Sequence, residues 1–253
     1  MGVTSVKSGR SIAITWERPP LNIFDLALLR EMDRALSACA GDGEADVVVF
    51  QGAGARAFSA GVDIRDHSRE KVPEMLAAVH GVIRKMLALP QATVAAVRGL
   101  CLGGGCEIAS SCDLILAAED SAFATPEIRV GCYPPVALAR FASLIGYHRA
   151  AEMILTGRRF SAREAEAFGL INRVAAAERF EAALSDLLGE LTSKSGAVLR
   201  LTLKGLRERS LAGFDQALQR SEEIYCRELL GTEDIEEGVR AFLEKRAPEW
   251  RHR

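Results

Sequence analysis

No charge of one sign dominates this chain: 32 Lys and Arg stand against 34 Asp and Glu, a formal charge of −2 at pH 7. That balance excludes a general electrostatic attraction to nucleic acid or to an anionic membrane. Long apolar runs are missing too. None approaches the ~18 to 20 apolar residues that cross a bilayer, and no charged segment followed by an apolar stretch opens the chain, so a soluble, cytoplasmic protein is expected. Of the six cysteines, at 39, 101, 106, 112, 132 and 226, no two form a C-x-x-C pair. Reduced and mostly buried thiols are expected, not a disulfide framework or a zinc site. The four histidines, His67, His80, His148 and His252, lack ligand spacing such as H-E-x-x-H, and no metal is expected. A P-loop is excluded because no Lys-Ser or Lys-Thr follows the chain's glycine run, and a dinucleotide fingerprint because that run lacks the G-x-G-x-x-G spacing.

What the chain does have is 253 residues, 49% of them hydrophobic, enough for a substantial core. Ser11–Trp16 and Val47–Gln51 read as strands, and Gly9 between Val6 and Ile12 suggests an opening hairpin. Between these strands, Leu26, Leu29, Met32, Leu36 and Cys39 fall at helical spacing over Asp25–Cys39. Further strands are expected at Thr93–Arg98 and Asp113–Ala118, with a helix over about Glu74–Ala88. Strands alternating with helices argue for crossover units and a largely parallel sheet. The last third changes character: Ser161–Phe168, Glu178–Thr192, Gly196–Arg209, Phe214–Leu229 and Thr232–Lys245 read as helices, with a weak β signal at Leu170–Val174. Ser161 and Glu164 have the spacing of a capping box. Several of these helices are too apolar for a monomer's surface, which points to oligomerisation.

Three segments stand out chemically. The first, Leu100–Glu107, reads LCLGGGCE. Three consecutive glycines mark backbone that bends sharply or lies against a ligand. The expected order is strand Ala92–Arg98, glycine turn, short helix Ile108–Cys112, strand. Such a turn leaves the first helical N–H groups free to hold negative charge. The second, Gly52–Ile64, follows a strand at its carboxyl end, where open α/β sheets bind ligands. The third places Glu127 after Pro126, followed by apolar residues that draw the carboxylate toward a dry cleft. Each alone has an ordinary reading as close packing or a solvated loop.

Together the three segments resemble the crotonase, or enoyl-CoA hydratase/isomerase, superfamily in order, spacing and sequence. The resemblance rests on AFSAGVDI at 57–64, GLCLGGGCEIASSCDLILAAEDSAFATPEI at 99–128 and LTGRRFSAREAEAFGLINRV at 155–174, with AFLEKR at 241–246. It implies an α/β fold, a crotonase-like spiral of ββα units over residues 1–195, followed by a helical oligomerisation region over 196–253 that builds trimers or dimers of trimers. It implies an acyl-CoA substrate, with coenzyme A part of the substrate and no separate cofactor, no metal, no nucleic acid and no membrane partner.

Carried over residue by residue, the resemblance puts the thioester oxygen between the backbone N–H groups of Val62 and Gly104. Fixed donors there stabilise an enolate. Valine at 62 is bulkier than the family's usual alanine and narrows the acyl pocket. Glu107 and Glu127 match the pair of glutamates used for hydration, one group taking a proton from water and another delivering one to carbon. Ala60, Val62, Asp63, Ile64 and Arg65 match the stretch along which CoA lies. Arg65 and Lys245 are candidates for its phosphates, and Phe242 with Lys245 for a contact from a neighbouring subunit.

One stretch departs from the common pattern. Where short-chain hydratases have a glycine-rich turn after the second glutamate, this chain has Gly131-Cys132-Tyr133-Pro134-Pro135-Val136-Ala137. Two prolines stiffen the backbone and reshape the acyl pocket, here Tyr133, Pro134, Pro135 and Val136, beside Glu127. A Pro-Pro-Val-Ala run at this place resembles the cyclic dienoyl-CoA hydratases of aromatic degradation, implying 1,4-addition of water to cyclohexa-1,5-diene-1-carbonyl-CoA to give 6-hydroxycyclohex-1-ene-1-carbonyl-CoA. Two alternatives stay open: hydration or double-bond isomerisation of linear 2-enoyl-CoA esters, and a noncatalytic RNA-binding crotonase homologue. Retention of both glutamates and the lack of a basic excess argue against the second.

Overall fold

The parallel ladder that organises the molecule begins with β-rich segments of period two. A computed structural model describes all 253 residues. The opening hairpin pairs β1 (Gly2–Ser8) antiparallel with β2 (Ser11–Glu17), turning at Gly9. From β2 the sheet continues in parallel through β3 (Val47–Gly52), β5 (Ala92–Val97), β7 (Leu114–Ala118) and β10 (Arg173–Ala175). Alternation along β3 explains why the sheet is covered on both sides. Val48 and Phe50 face the main core, while Val47 and Val49 face a smaller one closed by Phe180, Leu184 and Leu187 of α7 (Phe180–Thr192) and Leu203 of α8 (Gly196–Ser210).

A second, four-stranded sheet lies outside the sequence expectations. It consists of β4 (Ala57–Ser59), β6 (Leu100–Leu102), β8 (Ala122–Ala124) and β9 (Phe160–Ser161), each only two or three residues long. Each of β3, β5 and β7 is followed by a short strand of this second sheet, and helices α2 (Val72–Ala88) and α3 (Gly104–Ser110) follow the first two. The repeated ββα unit is therefore real, and the expected direct passage from strand to glycine turn to helix is corrected: β6 intervenes. The helix also begins earlier than expected, inside the glycine run at Gly104 and not at Ile108.

Side-chain caps begin several of the helices. Asp25 caps α1 (Leu26–Ala40) by accepting from Leu28 N–H at 2.8 Å. Ser161 and Glu164 form the capping box of α6 (Ala162–Ala167). Two helices went unread, α4 (Pro135–Ile145) and α5 (Tyr147–Thr156). Five cysteines are free and buried and Cys226 is exposed.

The helices after residue 196 have no core of their own. Phe214, Leu218 and Tyr225 of α9 (Phe214–Arg227) and Ile235 of α10 (Glu233–Leu243) belong to the main core of the same chain. Arg207 of α8 reaches into the sheet, donating to Asp113 and to the Gln91 carbonyl at 3.0 Å. No helix is long and apolar enough to cross a membrane.

Candidate active site

The site is assembled from the places where the chain passes from one sheet to the other. Gly61 to Asp63 leaves β4 and runs alongside Phe24: Phe24 N–H donates to the Gly61 carbonyl and Asp63 N–H to the Phe24 carbonyl, both at 2.9 Å. In extended backbone, successive peptide groups point to opposite sides. The Val62 N–H therefore faces away from Phe24, and it donates to no turn, loop or cap carbonyl. The Gly104 N–H is likewise uncommitted, as the first helical residue of α3 must be unless something caps it.

The glycines hold these two amides together because nothing larger fits. A Cβ on Gly104 would stand 2.9 Å from Val62 Cγ2. At Gly103, φ is +54°, a left-handed conformation, and a Cβ there would stand 2.7 Å from Glu127 Oε1. The glycine run thus serves two close approaches, one toward the 60s loop and one toward the second glutamate.

Glu107 lies in the first turn of α3 and is only 4% exposed. Its Oε1 accepts from Val136 N–H at 2.8 Å and Ala137 N–H at 3.0 Å. Those are the second and third residues of α4, whose N1 residue is Pro135, so the glutamate caps that helix from a distance. The Pro-Pro segment acquires a definite role here. Proline at N1 needs no N–H partner, and the two amides after it are aimed at Glu107. Burial pushes the Glu107 carboxyl up, and the α4 amides together with His80 partly offset this.

Glu127 lies in the 3-10 turn Pro126–Val130. Its Oε2 is buried and has no hydrogen-bond partner. Burial, then the neighbouring Glu107, pushes its carboxyl up to about 8. Because Glu107 itself raises Glu127, the two carboxyls titrate as a pair, both biased toward the protonated form.

Both glutamates line one cleft of roughly 320 Å³, together with Ala60, Val62, Ile64, Gly103 and Gly104. Its inner walls come from α2, through Met75, Leu76, Val79 and His80, from Tyr133, Pro134 and Pro135, and from Tyr225 of α9. Phe242, 57% exposed, forms part of the rim. Of the residues expected here, four stand elsewhere. Val136 is wholly buried and meets the site through its N–H alone, because the first turn of α4 directs its side chain into the core. Asp63 points to Arg65, accepting from its Nε at 2.9 Å, and this pairing draws both side chains off the cleft wall. The Arg65 guanidinium holds the Asp63 carboxyl down to about 2. Lys245 is exposed beyond the end of α10, and Arg246 takes the place on the cleft wall.

Several residues of the cleft wall were given no role in the site from the sequence, His80, Tyr225 and Arg246 among them. His80, 1% exposed, contacts Glu222 of α9 through Nδ1 at 2.6 Å, across 142 residues of chain. It sits between Val79 and Val82 in an apolar stretch, the one available signal. Tyr225 carried no signal and Arg246 only its place at the end of AFLEKR, since their relation to the glutamates exists only after α9 and α10 fold over the cleft.

The chain matches the Enoyl-CoA hydratase/isomerase family over residues 7–253. It is 33% identical over 247 residues to a cyclohexa-1,5-dienecarbonyl-CoA hydratase of Thauera aromatica, covering 98% of this chain and 95% of that protein. A probable enoyl-CoA hydratase of Rhizobium meliloti (strain 1021) is 36% identical over 250 residues, covering 97% and 96%. Among solved structures, an enoyl-CoA hydratase from Mycobacterium avium subsp. paratuberculosis K-10 superposes with a TM-score of 0.90 at 32% identity, covering 99% of this chain and 98% of that one. With the spiral of ββα units and a cleft bearing two glutamates beside two free amides, these likenesses show that the chain belongs to the enoyl-CoA hydratase/isomerase family.

Proposed function

We propose that this protein adds water reversibly to an unsaturated acyl-CoA thioester, acting as a hydro-lyase, and that its acyl group is a conjugated ring of the cyclohexa-1,5-diene-1-carbonyl type. The observation that carries the hydratase reading is the pair Glu107 and Glu127 on one cleft with the free N–H groups of Val62 and Gly104. The thioester oxygen sits between those amides. Water forms its new C–O bond at the carbon β to the carbonyl, an ionised carboxylate takes its proton, and the displaced electron pair moves onto the thioester oxygen as an enolate. In a linear enoyl ester the protonated carboxyl then delivers a proton to the α carbon. In the ring the enolate is extended by the second double bond, and the proton goes to the far end of that system. Hydration is redox-neutral, so CoA enters only as part of the substrate and no cofactor is needed.

Support for the ring comes from the name of the Thauera aromatica relative and from the rigid Pro134-Pro135 segment, which lines the cleft together with Tyr133 and Tyr225. The CoA portion runs along Ala60, Val62 and Ile64. Phe242 contributes at the rim with Arg246, and Arg65 and Lys245, which stand off the cleft wall, are left for phosphates outside it. The exposed apolar side chains of α8, Val198, Leu201 and Leu206, suit a homo-oligomer, a trimer or a dimer of trimers.

Hydration of a linear 2-enoyl ester is the second reading, favoured by the name of the Rhizobium meliloti relative. Incubation with the cyclic diene and, separately, with crotonyl-CoA in D2O decides between them. The expected result is gain of one water on the cyclic ester, with deuterium on the ring carbon remote from the thioester. Activity confined to crotonyl-CoA, with deuterium at the α carbon, would sink the ring assignment.

A further inference from the structure

Besides Glu127 Oε2, a second buried polar atom on a residue of the cleft wall lacks a hydrogen-bond partner: the hydroxyl of Tyr225. Tyr225 is 1% exposed. Buried phenols nearly always find a partner, and a buried polar group without one calls for a water or a ligand. Its neighbour Tyr133, packed edge-on with ring centres 4.9 Å apart, has already committed its hydroxyl to the Ser221 carbonyl at 2.8 Å. Of these two tyrosines, only Tyr225 keeps a free donor. Within the protein it reaches only the Cys132 sulfur, a weak acceptor that leaves most of the phenol's donor strength unused.

The two unpartnered atoms differ in a useful way. Burial and the charges of Cys132 and Glu127 push the phenol up, so Tyr225 stays a neutral O–H group at any physiological pH. Glu127 offers a carboxyl oxygen. A water molecule between them can accept from the phenol while donating to the carboxyl.

We infer that Tyr225 is a third catalytic group: its hydroxyl, with Glu127 Oε2, holds the water that adds to the acyl group, and afterwards the hydroxyl that this water becomes. Tyr225 keeps its own proton throughout; the proton lost by water goes to the ionised member of the glutamate pair. The inference rests on the hydratase reading.

The test compares wild type with Tyr225→Phe in two measurements. The first is kcat for hydration of whichever ester wild type accepts, cyclohexa-1,5-diene-1-carbonyl-CoA or crotonyl-CoA. The second is calorimetric affinity for the hydrated product against its analogue lacking the hydroxyl: 6-hydroxycyclohex-1-ene-1-carbonyl-CoA against cyclohex-1-ene-1-carbonyl-CoA, or 3-hydroxybutyryl-CoA against butyryl-CoA. Loss of the phenol is expected to lower kcat at least about tenfold, to weaken the hydroxyl-bearing ligand by about tenfold, and to leave its analogue unchanged. Equal loss for both ligands, no change in either, or a fall in Tm showing that the phenol is bonded within the fold would each overturn the inference. A wild-type protein that hydrates neither ester would instead overturn the hydratase reading.

Discussion

The Oε1 atom of Glu107 stands 2.8 Å from the amide nitrogen of Val136 and accepts its hydrogen bond. This bond ties a catalytic candidate on one ββα unit to the start of a helix 29 residues later, and it gives the Pro134-Pro135 pair a mechanical purpose. Exchanging the carboxylate for an amide preserves the acceptor while removing the charge. Glu107→Gln is therefore expected to fold with a Tm close to wild type and to lose hydration by about 10²- to 10⁴-fold. Near-wild-type turnover, followed by the loss of conjugated absorbance, would remove Glu107 from the proton transfers.

The raised Glu127 carboxyl gives stability a definite slope with pH. In the unfolded chain the group ionises near 4.5, whereas in the fold it keeps its proton up to about 8. Between those values the unfolded state binds fewer protons, so this group's contribution makes stability fall as pH rises through that window and level off above it. Glu127→Gln removes the ionisation and should raise Tm relative to wild type more at pH 8 than at pH 5. Turnover that depends on the protonated member of the pair should decline as pH rises past about 8. Thermal melts showing the same difference at both pH values would contradict this account.

Gly103 separates backbone strain from side-chain chemistry. Gly103→Ala places a Cβ 2.7 Å from Glu127 Oε1 and requires an L-residue at φ +54°. A stability loss of about 1 to 3 kcal/mol is expected, with kcat falling more than KM rises, because the displaced group is a glutamate of the cleft. Chemical denaturation and steady-state kinetics on the same preparation check both halves.

Arg207 ties α8 to the main sheet. It donates to Asp113 through Nε at 2.9 Å, while Thr93 donates to the same carboxylate through N–H and Oγ1, both at 2.8 Å. Side-chain exposure is 13% for Arg207 and 20% for Asp113. Arg207→Ala leaves a largely buried carboxylate without its cation, an expected loss of about 3 kcal/mol, or roughly 6 to 12 °C in Tm. A shift under about 2 °C would mean that α8 is held by its apolar contacts alone.

Leu201 on α8 is 70% exposed in the single chain, with Val198 one turn before it on the same face. If this face lies between subunits, Leu201→Glu should lower the mass seen by light scattering from a multiple of 27.3 kDa toward that value. A wild-type protein already monomeric at micromolar concentration would refute the oligomer proposal.

Read by itself, the sequence determined the parallel sheet, most helix positions and the two glutamates. These are written in local terms: two-residue alternation in Ser11–Trp16, an unbroken apolar run in Val47–Phe50, 3.6-residue spacing in Asp25–Cys39, a capping box at Ser161, and glycines where Cβ atoms cannot fit. The resemblance of three segments to a known family then joined Glu107 to Glu127. Only the tertiary structure decided the rest. Strands of two or three residues such as β4 and β9 have too few side chains for a period, and pairing alone defines them. The cleft's outer wall is non-local for the same reason. The meeting of His80 with Glu222, the clamp of Val136 on Glu107 and the free phenol of Tyr225 arise when α4 and α9 pack against the spiral, and no spacing along the chain encodes a distance across it.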